Sequence, residues 1–281
     1  MSSHFLGIII ALTAAASWGG GDFSGGYAAR RISQYQVLFL TSLSSLSLLL
    51  ILAFIWGEGL PSSRSMLYAV LAGSSGALGL AALYKALSIG NSVIVAPVSG
   101  IVGTIIPVIA GIFAQGLPGF AQLIGFMVAL LGIWLVTRVG NNADSASTIS
   151  LGLAIFSGIC SGGFLTLIAQ VESGQVFAPL VVAKTASVLL ASALIWTSKQ
   201  SIPKITASSV ALISGLLDGG GNIFYLFATH FTRLDIAAVL SSLYPEGTVL
   251  LSTIILKEKI SPKQWLGVAA CIAAIWLITI N

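Results

Sequence analysis

The chain has 281 residues, 57% of them hydrophobic and only 7% charged, and its mean hydropathy is +1.03. A soluble domain carries roughly 25% charged residues, so water is excluded as the main solvent and the chain is an all-α integral membrane protein. The net charge of +4 does not imply a nucleic-acid partner, because the 12 basic residues are scattered and never form a stripe. Cys160 and Cys271 lie inside apolar runs and show neither a disulfide framework nor zinc spacing. His4 and His230 are too few and too far apart in sequence for a metal site. No metal or cofactor is expected.

A spanning helix needs about 20 apolar residues, and ten windows qualify: 4–28, 35–55, 66–87, 92–114, 119–138, 149–170, 176–197, 206–228, 235–256 and 262–280. No basic cluster precedes the first window, so it reads as a retained helix rather than a signal peptide. It contains AAASWGGGDFSGG at 14–26. These glycines do not make a phosphate loop, because no Lys-Ser/Thr follows them. The connections carry the helix breakers: GEGLPSSRS at 57–65, QGLPG at 115–119, GNNADSAS at 140–147 and SKQSIPK at 198–204. The apolar runs are continuous rather than alternating, which argues against a barrel.

The chain repeats itself. QLIGFMVALLGIWLVT at 122–137 and QWLGVAACIAAIWLIT at 264–279 share Gln, Gly, Ile, Trp, Leu and Thr at one offset, 276 − 134 = 142. The same offset pairs Ala69 with Ala211, Gly73 with Gly215, Gly79 with Gly221 and Ala86 with Ala228. The expected units are a first five-helix repeat at 1–139, a linker at 140–148 and a second repeat at 149–281. Five spans is an odd number, so the second copy runs through the membrane upside down. Two inverted five-helix repeats are the architecture of many secondary transporters, whose substrate binds near the midplane between the copies.

The basic residues set the orientation. Arg30, Arg31, Lys85, Arg138, Lys199, Lys204, Lys257, Lys259 and Lys263 fall at one set of helix ends, against Arg64 and Arg233 at the other. The positive-inside rule then puts both termini outside the cytoplasm.

SWGGGDFSGGYAARR near the start, YKALSIGNSVIVAPVSG in the middle and SSLYPEGTVLL with LKEKISPKQWLG near the end resemble the EamA family of the drug/metabolite transporter superfamily. The resemblance covers both halves. It implies a ten-helix protein of the bacterial inner membrane that exports amino acids, other metabolites or drugs. The family's Gly-Glu pair before the fifth span of each half is kept here only as the acid Glu258, with Gly116 at the matching position of the first half. Glu246 stands where the family has a small apolar residue.

Most of the eight acids lie at helix ends (Glu58, Asp144, Glu172, Asp235, Glu258) and read as solvated. Asp22, Asp218, Glu246 and Lys184 fall within spans. A central charge costs roughly 2.5–3.5 kcal/mol on the lenient insertion scale, so such groups face a partner or a cavity. At 1.5 Å per residue, Lys184 lies about 12 Å and Asp218 about 15 Å below the outer face. The two are expected to meet, as a static pair between helices or as part of a site. Asp218, Asn222 and Tyr225 share one helical face, and glycines 219–221 leave bare backbone beside it. Acceptors for an ammonium next to donors for a carboxylate would suit a zwitterion. Close packing is the plainer role for the glycines.

By the same rise, Asp22 lies about 27 Å from the outer face. It reads as a gate near the inner mouth or as an interfacial partner of Arg30 or Arg31. Trp18, one turn earlier, lines the path or packs. Glu246, about 16 Å deep, is a candidate proton-coupling residue or a protonated acid bonded to a freed carbonyl. Pro97, Pro107 and Pro245 are candidate hinges.

The leading reading is a secondary transporter of a small organic solute, able to work as a monomer in the bilayer. The alternatives are a channel or a membrane-embedded enzyme acting on a lipid-soluble substrate. For the enzyme, no span holds a histidine beside a nucleophile, and no metal cluster is evident. The charge count gives a direct expectation for topology. Alkaline phosphatase fused after Asn281 is expected to be active and green fluorescent protein dark; the reverse pattern overturns the orientation.

Overall fold

The computed structural model describes residues 3–89, 92–136, 148–172, 174–256 and 262–279. Within them the chain is all-helical: α1 (Ser3–Ala29), α2 (Gln34–Trp56), α3 (Ser63–Ile89), α4 (Ser92–Gln115), α5 (Phe120–Val136), α6 (Thr148–Ile168), α7 (Phe177–Thr197), α8 (Ser209–Phe231), α9 (Leu234–Ser241), α10 (Tyr244–Leu256) and α11 (Pro262–Thr279), with one 3₁₀ turn at Ile205–Ala207. Among the described residues, seven helices (α1–α4 and α6–α8) are long and apolar enough to cross a membrane, and α5 and α11 contain shorter apolar helices. Arg138, Asp144, Lys257, Glu258, Lys259 and the linker at 140–147 lie outside the described residues.

The ninth expected span is not one helix. α9 ends at Ser241 and α10 begins at Tyr244. Pro245 has no N–H to return to Ser241, so the ladder fails there and proline is tolerated only in the first turn of a new helix. The Ser242 N–H closes α9 on the Ala238 carbonyl at 2.9 Å, and the Glu246 N–H starts again on the Leu243 carbonyl at 3.1 Å. Pro97 and Pro107 behave differently. α4 runs through both without interruption.

Two of the acids read as solvated are structural. Glu58 accepts hydrogen bonds from the backbone N–H groups of Val176 at 3.0 Å and Ala178 at 2.7 Å, capping the N-terminus of α7 from a distant loop. Asp235 is fully buried and pairs with Arg233 at 2.8 Å, while Arg233 also donates to the carbonyls of Gln115 and Gly116 at the end of α4. Both acids sit at helix ends, as read, but the chain folds back over them. Elsewhere large apolar side chains such as Phe54, Phe113, Phe120 and Trp196 point outward, as lipid rather than water demands.

The packing carries the internal symmetry. α1 lies against α8 and α3 against α6; α2 packs on α8 and α3 on α7; α1 meets α9 and α10, as α6 meets α4; α5 pairs with α11 and α2 with α7. Exchanging the halves maps each of these contacts onto another or onto itself. The 142-residue offset reaches atomic detail. A side chain at Gly73 would strike the backbone of Ala183, and one at Gly215 would strike the backbone of Thr41; Ala183 and Thr41 are themselves mates at the same offset. Only the absence of a Cβ lets these helices approach.

Gly73→Ala is therefore expected to destabilise the fold. Its new methyl meets backbone that cannot rotate away, and overpacking costs about 1–3 kcal/mol, more than the roughly 1 kcal/mol of helix propensity that alanine gains. Gly152→Ala, where nothing lies within 4 Å, serves as the control. Thermal unfolding in detergent checks the pair, with a lower midpoint expected for Gly73→Ala alone.

Candidate functional site

The site begins where α1 crosses α8. Ser17 Oγ donates to the Leu217 carbonyl at 2.8 Å, and Ser214 Oγ returns a bond to the Gly21 carbonyl at 2.7 Å. A Cβ on Gly21 would stand 3.4 Å from the Asp218 nitrogen, so the two backbones nearly touch. This contact brings Asp22 to the level of Asp218. Counting from the first residue of α1 overstates the depth of Asp22, because 27 residues span about 40 Å, more than the roughly 30 Å hydrocarbon core.

α7 supplies the cation. Lys184 Nζ stands 2.5 Å from Asp218 Oδ2, with side chains only 6% and 14% exposed. Asn222 Nδ2 donates to the same oxygen at 3.3 Å. One turn beyond Lys184, Ser187 Oγ donates to the Gly73 carbonyl at 2.9 Å, which ties α7 to α3. The break between α9 and α10 adds Ser242 and Tyr244.

Together these groups line a cavity of about 690 Å³, including space open to its mouth. Its walls hold Trp18, Asp22, Lys184, Asp218 and Asn222, five of the residues singled out from sequence, together with Ser161, Phe164, Ser187, Ser242 and Tyr244, which were not. Tyr225 is not among these lining residues. It is fully buried, its ring lies 5.7 Å from that of Trp18, and its hydroxyl donates to the Leu165 carbonyl at 3.0 Å. It supports the wall without forming it. Glu246 and Pro245 lie beside the cavity in the first turn of α10 and are not among its lining residues.

Asp22 is not held by the arginines beyond the end of its helix. Arg31 turns to Tyr27, donating to its hydroxyl at 2.7 Å and lying over its ring. His4 and His230, distant in sequence, line one surface hollow with Arg233 and Thr232, and His4 Nδ1 is 2.9 Å from the Thr232 hydroxyl.

A sequence signal for some of the missed residues existed. The offset of 142 pairs Asp22 with Phe164, Gly76 with Asp218 and Leu80 with Asn222, and all six line the cavity. Applying the repeat to the site residues themselves would have found the opposite wall.

Such a fold defines a multi-pass membrane protein of two repeated helical halves that together line one cavity. The chain belongs to the EamA-like transporter family, whose model matches it twice, over residues 5–138 and 148–280. It is accordingly a membrane transporter and not an enzyme. No curated protein matches the chain. One solved crystal structure of a protein is similar to it with a TM-score of 0.74 and 14% identity, covering 96% of this chain and 95% of that one. At that identity the likeness shows the fold alone.

The pair at the centre of the site makes a sharp expectation. Lys184→Met and Asp218→Asn each leave one polar partner buried without the other, and breaking a buried pair costs about 3–5 kcal/mol. Each single variant should express poorly. The double variant should recover expression in fluorescence-detected size-exclusion chromatography, because it leaves no unpaired charge. Purely additive losses would show that the pair does not couple.

Proposed function

We propose that the chain is a secondary active transporter that exports small organic metabolites, a class that includes amino acids and drugs, across the cell inner membrane by alternating access. The observation that supports this reading is the position of the cavity. Three pairs of repeat mates line it together, as a cavity on the pseudo-twofold axis would require, and inverted-repeat carriers bind substrate there. In this reading Asp218, Asn222, Lys184 and Trp18 hold the solute from one side, and Tyr225 braces Trp18. Both termini lie outside the cytoplasm. A monomer suffices in this reading, because one chain supplies the whole cavity.

A channel would share the fold class but not the kinetics. Uptake of radiolabelled solute into vesicles should saturate and show counterflow for a carrier. Linear, non-exchanging flux supports the channel.

The proton gradient is proposed as the driving force, with Glu246 as the coupling group. Glu246 follows Pro245 at the break between α9 and α10, so a change of angle there would change which side it faces. Glu246→Gln imitates the protonated form. Accumulation driven by a pH gradient is expected to vanish in this variant while solute exchange survives. Accumulation at the normal level would remove Glu246 from the coupling mechanism.

A further inference from the structure

If the cavity is the solute site of a carrier, as proposed above, its walls also specify the kind of solute. Three ionisable side chains of opposite sign line it: Asp22, Lys184 and Asp218. Lys184 is committed to Asp218, and Asn222 donates to the same carboxylate. The cation of the site is thus already balanced by Asp218. Asp22 differs. Among the described residues, neither an ion pair nor a hydrogen bond engages its carboxylate. An ionised carboxylate inside the membrane calls for a positive partner and without one takes up a proton, and the protein's own cation stands on the other acid. With Asp22 ionised, the cavity is one positive charge short.

The repeat supplies the second half of the argument. Across the pseudo-twofold axis, Asp22 is matched by Phe164, Asp218 by Gly76 and Asn222 by Leu80. With Leu83 and Leu165, these mates give the lining an apolar part beside its ionic one. Trp18 and Tyr244 add aromatic rings to the lining, a side-chain type that attracts cations.

We infer that the cavity binds amphipathic organic monocations, an amine on an apolar body, with Asp22 receiving the ammonium group and the Phe164 wall seating the body. The Lys184–Asp218 pair is electrically neutral and limits the site to one charge. Within the broad solute class proposed above, the site selects amines over amino acids and over anions.

The test is a matched series in titration calorimetry on the full chain in nanodiscs. Phenethylamine, phenylalanine, 3-phenylpropionate and 2-phenylethanol share a ring and a short chain and differ in their polar groups. Phenethylamine is expected to bind at least about tenfold more tightly than the other three, the factor a charge-assisted hydrogen bond supplies. Asp22→Asn should erase that margin, and Phe164→Ala should weaken the amine in an otherwise normal cavity. Thermal unfolding of each variant shows whether it is folded, and the ranking on the unmodified chain stands whether or not a variant folds.

Equal or tighter binding of phenylalanine or phenylpropionate overturns the inference, as does unchanged amine affinity in folded Asp22→Asn, or binding by none of the four. Flux separates this failure from that of the carrier reading. Saturable counterflow of phenylalanine without amine binding sinks the amine site and leaves the carrier. Amine binding without counterflow of the membrane-impermeant trimethylphenethylammonium leaves the site and sinks the carrier.

Discussion

Pressing one apolar helix against another gains little in lipid, because the lipid tails it displaces are equally apolar. What holds this bundle is the approach of backbones at small residues and the hydroxyl groups that bond across the gap. Ser17 and Ser214 join α1 to α8, Ser75 donates to the Cys160 carbonyl between α3 and α6, Ser44 to the Leu212 carbonyl between α2 and α8, and Ser187 to the Gly73 carbonyl between α7 and α3. Each bond needs the backbones close, and closeness needs residues such as Gly73 and Gly215. The cavity exists because these contacts fix where the helices touch and leave the space between them unfilled.

The same constraint explains which features were legible in the sequence. Spanning helices show as long apolar runs, and the repeat shows because backbone contacts at glycine must be kept in both halves. The offset found in the third and fifth spans reappears as Gly79 against Cys160 and Gly221 against Trp18, two contacts related by that offset. The Lys184–Asp218 pair was legible for a related reason, since isolated charges in lipid must find each other and their depths can be counted. Three things were hidden. Helix ends do not reveal that the chain folds back over Glu58 and Asp235. Proline marks a weak point without saying whether the helix yields, and α4 passes two prolines intact while Pro245 begins a new helix. Residues such as Ser242 and Tyr244 carry no charge to betray them and are mates of no site residue, and only the geometry places them on a wall.

The symmetry of the backbone and the asymmetry of the cavity have different causes. Backbone packing is a shared solution that either half would lose by changing a glycine. Ionic side chains are a cost, roughly 2.5–3.5 kcal/mol for each central charge. A fully symmetric cavity would double the charged set, placing a second carboxylate where Phe164 stands and another at Gly76. The halves differ at these positions, one carrying ionic residues and the other apolar ones, so that one cavity offers two chemistries. A symmetric cavity could not orient an asymmetric solute.

The break in the ninth span acts on this same arrangement through α1. On one side of it, Ser241 Oγ donates to the Ala11 carbonyl at 3.2 Å; on the other, Thr248 Oγ1 donates to the Gly19 carbonyl at 3.0 Å. α9 and α10 are thus each tied to the helix that carries Trp18 and Asp22, at points about two turns apart. α4, the counterpart in the first half, is a single rod. A change of angle between α9 and α10 must either bend α1 or break one of these two bonds, and the run of glycines at 19–21 lies where α1 is most able to bend. Tyr244, at the break, and Asp22, one turn beyond the tie at Gly19, then move relative to each other. The fold thereby joins the helix break of one repeat to the carboxyl group of Asp22 in the other.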